Sequence, residues 1–185
     1  MEASSQKYQD KIKQIKTMVK MGQLEEAQRQ LEELCPNGTE DSETLVLWGR
    51  ICMSSQKYDD AANIFQRLVD LYPDVATYLN SLGMALLMAG DEEKAMQNIK
   101  QAASMAPDSV IFQSNLGKMF IVREQWAEAI KCFEGILIKG AGEKTNNILE
   151  MANHCRERLD LPPVGLEHYC SPGDEVEQAS GYLEI

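Results

Sequence analysis

The chain has 185 residues, 44% hydrophobic and 25% charged, enough apolar material for a core but too short for two large domains. Its 29 acids against 18 bases leave a net charge of −11, which argues against nucleic acid and an anionic membrane surface as partners. The first twenty residues hold no signal-peptide core and no run approaches the roughly 18 apolar residues of a span, so no membrane insertion is expected.

Along the chain, the first element is a pair of amphipathic helices over 8–41, marked by Gly22, Ala27 and Leu31, with Ile15 at the place where later units carry glycine. A second pair, 42–75, holds Trp48-Gly49, Cys52, Ala61 and Phe65 and closes at Pro73. The third, 76–109, repeats the offsets with Leu82-Gly83, Leu86, Ala95, Ile99 and Pro107. The fourth, 110–143, has Leu116-Gly117, Phe120, Ala129 and Phe133, and ends in a Lys139-Gly140-Ala141-Gly142 turn instead of a proline. The four alanines stand 34 residues apart, and so do the three glycines. Within a unit the apolar residues recur at spacings of three and four, as in Asp59–Tyr72 with Ala61, Ala62, Phe65, Leu68, Val69 and Tyr72. Pro73-Asp74 and Pro107-Asp108 should stop one helix, with the aspartate capping the next.

A capping helix is expected over 144–161, with Ile148, Met151, Cys155 and Leu159 on its packed face and Pro162-Pro163 beyond it. From Asp160 onward there are six acids and no lysine or arginine, and 162–185 shows no helical period. An acidic flexible tail is the expectation.

The offsets resemble the tetratricopeptide repeat, with its W-x2-L-G-x2-Y, A-x3-F and closing proline at a period of 34. The resemblance implies an all-α fold, a right-handed superhelical solenoid of helix-turn-helix repeats. It also implies a concave groove lined by the first helix of each unit. Carried over position by position, the groove residues are Ile12, Lys16, Val19, Val46, Arg50, Met53, Asn80, Met84, Leu87, Met88, Ser114, Lys118, Ile121 and Val122. One row (Val19, Met53, Leu87, Ile121) is wholly apolar and suits a partner helix or peptide. A neighbouring row carries Lys16, Arg50 and Lys118, which favours an acidic-apolar partner segment. The chaperone-type carboxylate clamp is not spelled out: its lysine and asparagine positions hold Ile12/Lys16 or Val46/Arg50 instead.

Catalysis finds no support in the sequence. No Gly-rich phosphate loop, G-x-S-x-G or H-E-x-x-H occurs, and no cofactor is expected. His154-Cys155 with His168 and Cys170 fits no common zinc spacing, since adjacent residues point to different sides of a helix. The five cysteines (Cys35, Cys52, Cys132, Cys155, Cys170) form no C-x-x-C, so a reducing compartment, the cytoplasm, is expected. The leading expectation is a non-catalytic protein–protein interaction scaffold. Two alternatives stand beside it. The stretch 57–159 is similar to the translocator chaperones of bacterial type III secretion in spacing, size and acidity. A homo-oligomeric assembly scaffold is the other.

Overall fold

The computed structural model describes residues 2–36, 39–140 and 142–169. Among them are nine α-helices and no strand: α1 (Glu2–Lys20), α2 (Leu24–Leu34), α3 (Ser42–Ser54), α4 (Tyr58–Leu71), α5 (Ala76–Ala89), α6 (Glu92–Met105), α7 (Val110–Val122), α8 (Trp126–Lys139) and α9 (Thr145–Glu157). The all-α expectation is therefore met. The helices fall into two compact units, Met1–Ala106 and Pro107–Ile185. The division lies within the expected repeat array, at the proline that closes its third unit.

In the first unit the small-residue positions explain how the helices pack. Ala27, Ala61 and Ala95 are completely buried. A Cβ added at Gly49 would lie 2.6 Å from Cζ of Phe65, and one at Gly83 would lie 2.5 Å from Cγ1 of Ile99. Glycine is thus the space into which the large residue of the second helix fits. The first repeat meets the same demand with another pair, Ile15 and Leu31, both buried in one cluster with Ile12, Leu47 and Ile51. Ile15 stands where the second and third repeats have glycine, and Leu31 where they have Phe65 and Ile99.

The turn inside each repeat is equally regular. Gly22, Gln56 and Gly90 have φ of +75°, +59° and +94°. The residue after each returns its N–H to a carbonyl five back, as in Lys57 to Cys52 at 2.9 Å, which closes a Schellman-type end. The left-handed residue recurs every 34 positions whether or not it is glycine.

Helix starts differ from expectation. Asp41 caps α3, accepting from Thr44 N at 2.9 Å and from Thr44 Oγ1 at 2.5 Å. Because Thr44 gives its proton to Asp41, the Tyr8 hydroxyl, 2.7 Å away, donates to Thr44 and ties α1 to the start of α3. Burial raises the Tyr8 pKa above its ordinary value. Asp74 does not cap α5, whose N-cap is Val75 without a side-chain bond.

In the second unit Ala129 and Phe133 are fully buried, and a Cβ at Gly117 would lie 2.6 Å from Cε1 of Phe133. The left-handed turn here is Glu124, at φ +55°. Ser109 caps α7, and Asp108 instead pairs with Lys139 at 2.6 Å. The cap helix α9 packs Ile148, Ala152 and Cys155 against α8. Leu159, expected on that packed face, lies past the helix end and is 40% exposed. The helix stops at Glu157, before either proline, and Asp160 turns the chain at φ +56°.

The segment expected to begin a free tail is bound as far as Tyr169. Asn153 donates to Val164 O and accepts from Val164 N, each at 2.9 Å. Arg156 donates to Pro162 O at 2.8 Å and pairs with Glu134 at 3.2 Å, and Tyr169 donates to the same carboxylate at 3.1 Å. Burial, with the nearby Glu134 carboxylate, pushes the Tyr169 hydroxyl up to about 12. The remainder of the predicted tail, 170–185, lies outside the described residues.

Candidate protein-binding surface

The candidate residues of the first unit lie on α1, α3 and α5. Spacings of three and four put Lys16 and Val19 on one face of α1, Val46, Arg50 and Met53 on one face of α3, and Met84, Leu87 and Met88 on one face of α5. Val46 and Met53 are half-buried against the core cluster that α3 shares with α4 and α5. Val19 packs similarly against the first repeat's cluster.

Helix α5 carries no charged residue, and its apolar residues serve two sides. Leu79, Leu82, Gly83 and Ala85 are buried. Met84 and Leu87 are half-buried, and Met88 stays 49% exposed. A helix apolar all round is normally covered all round. Here a methionine-rich stripe remains accessible.

Three candidates do not belong to an accessible surface. Ile12 is 1% exposed and part of the core, while Asn80 and Ser114 are each 8% exposed. The family register puts these positions in the lining of the groove, but in this chain the packing of neighbouring helices takes them inside. The periodicity of α1, with Ile12 and Ile15 three apart, carried that signal.

The cations also separate. Lys16 forms an ion pair with Glu43 of α3, while Arg50 is exposed and makes no ion pair among the described residues. That pair joins residues 27 apart, and it depends on how α1 and α3 are offset. In the second unit Lys118 is exposed, Val122 is 47% exposed, and Ile121 packs against the α7–α9 cluster.

Other concavities have different chemistry. A cavity of about 470 Å³ in the first unit is lined by Leu45, Trp48, Cys52 and Ile64, with Lys57 and Asp60 among its polar groups. Burial pushes the Cys52 thiol above its ordinary pKa, which opposes thiolate formation there. In the second unit His154 is exposed and meets Trp126 edge-on at 6.0 Å, whereas Cys155 is buried. Among the described residues no group of three His, Cys, Asp or Glu side chains is placed to hold a metal ion. No helix among them is long and apolar enough to cross a membrane.

The repeat geometry is matched by comparison with known proteins. The family model described as "Tetratricopeptide repeat" matches residues 46–110. Over that segment the chain carries tetratricopeptide repeats. The match spans most of the second repeat and all of the third, which hold the most complete set of glycine, alanine and proline positions. Among solved structures, this repeat protein is similar to the protein named MamA, with TM-score 0.68 and 18% identity over 87% of this chain and 85% of that one. A thermophilic tetratricopeptide protein of Thermus thermophilus, TTC0263, gives TM-score 0.66 and 18% identity, covering 83% and 84%. The TPR2B domain of yeast Sti1, solved as a pHsp70 complex, gives TM-score 0.60 and 15% identity, covering 65% and 99%. At these identities the likeness concerns the fold. Comparison with curated proteins finds no match.

Proposed function

We propose that the repeat protein is a non-catalytic scaffold of the cytoplasm that binds a segment of another protein on the α1–α3–α5 face of its first unit. The observation that carries this is the accessible apolar stripe of Met84, Leu87 and Met88 on an uncharged helix, with Met53 and Val46 on α3. Methionine and leucine adapt to partners of different shape, and such anchors supply most of the affinity at protein interfaces. The Sti1 domain, solved with pHsp70, supports the reading by showing a related fold engaged with a protein ligand.

The test is affinity purification of the tagged full chain and of the Leu87→Asp variant from the cells that make the protein. Protein partners should be retained by the native chain and lost by the variant at unchanged helicity. Retention of all of them by the variant would move the binding site elsewhere. Recovery of secretion substrates would point to the type III chaperone, and self-association alone to the assembly scaffold.

A further inference from the structure

The charges of α3 and α5 are few enough to be assigned one by one. Helix α3 has Glu43 and Arg50, and α5 has none. Glu43 is taken by Lys16, 27 residues earlier. The same separation carried from Arg50 leads to Thr77, an exposed residue at the start of α5 that has no charge to offer. Arg50 therefore holds the repeat position of Lys16 without its partner, and no ion pair reaches it among the described residues. One turn away on the same face stand the apolar Val46 and Met53, with the exposed Ser54 beside them.

We infer that the partner segment carries an aspartate or glutamate within one helical turn of an aliphatic or aromatic anchor. The carboxylate meets Arg50 and the anchor rests on Met53 and the α5 stripe. This rests on the reading of that face as a binding surface, and names the chemistry that the face selects. A guanidinium presents a planar fork of donors that a carboxylate matches with two parallel bonds. Apolar neighbours strengthen such a pair by excluding water when the partner lands. The net charge of −11 does not prevent it, because at physiological salt more distant acids are screened over about 8 Å.

A random 12-residue peptide display library, selected in parallel on the native full chain and on Arg50→Glu, Thr77→Glu and Leu87→Asp, tests this. Melting curves establish that each variant folds. The native chain should enrich peptides with Asp or Glu beside an apolar residue. Those peptides should bind Arg50→Glu about tenfold more weakly in fluorescence anisotropy, the order expected when a surface attraction becomes a repulsion. Thr77→Glu should also weaken them, since it rebuilds on Arg50 the pairing that Glu43 gives Lys16. Selection on Arg50→Glu should keep the apolar pattern and replace the acid by lysine or arginine. Native-selected peptides without acidic enrichment, or equal binding to Arg50→Glu, would overturn the inference. Continued loss of those peptides on Leu87→Asp would show that the surface still binds. Failure of the native chain to select any peptide, or indifference to Leu87→Asp, would overturn the surface itself.

Discussion

Gly49 and Phe65 are two halves of one packing decision: the ring of Phe65 stands where a Cβ on residue 49 would be, 2.6 Å from its position. The pair recurs as Gly83 with Ile99 and Gly117 with Phe133, and is recast as Ile15 with Leu31 in the first repeat. Gly49→Ala should destabilise the fold by about 1–3 kcal/mol through overpacking. Adding Phe65→Leu, which takes the ring out of the space that the new methyl needs, should recover part of that loss. A double-mutant cycle by urea unfolding measures the coupling, and additive effects would show that the two positions do not share one space.

The left-handed turns carry a second prediction. Gln56 and Glu124 adopt φ of +59° and +55° at positions where the other two repeats have glycine. A side chain there costs about 1–2 kcal/mol in the folded state, offset in part by the chain entropy that glycine adds to the unfolded one. Gln56→Gly and Glu124→Gly should each raise stability by up to about 1 kcal/mol. Thermal or denaturant midpoints would show it, and a fall in both would mean the side chains hold the turn in another way.

The strap of the second unit depends on Asn153, which makes two hydrogen bonds to Val164. Asn153→Ala should cost about 1–3 kcal/mol, the sum of two ordinary bonds. It should also speed amide exchange at Val164, whose N–H loses its acceptor. Unchanged exchange there would mean that Arg156 and Tyr169 hold the segment alone.

Tyr169 adds a pH dependence of known sign. Its hydroxyl, at about 12 in the folded chain against an ordinary 10.0, stays protonated where the unfolded chain has lost its proton. Its contribution is therefore complete below about pH 10 and declines as pH rises towards 12. Of the six tyrosines, Tyr169 should ionise late in an absorbance titration in the near ultraviolet. Tyr169→Phe should remove that late step and flatten the alkaline loss of stability.

The groove cations should not behave alike. Lys16 is engaged with Glu43, so Lys16→Ala should change partner binding less than Arg50→Ala does. Titration calorimetry at low and physiological salt compares them, with the Arg50 effect shrinking as salt rises.

The all-α class, the four helix pairs and the small-residue positions are all written in the order of residues along the chain. Each of those follows from contacts inside one helix pair, where Gly49 meets Phe65 and Ala61 lies buried, so a period of 34 records them directly. Folding in three dimensions settled what depends on one element's offset against another. It buried Ile12, Asn80 and Ser114, set Lys16 on Glu43 while leaving Arg50 without an ion-pair partner among the described residues, and drew Val164 onto Asn153. None of these has a periodic trace. An ion pair across 27 residues, or a strap folded back over 11, depends on the rotation and rise between packed helices, and residue spacing along one chain does not fix those.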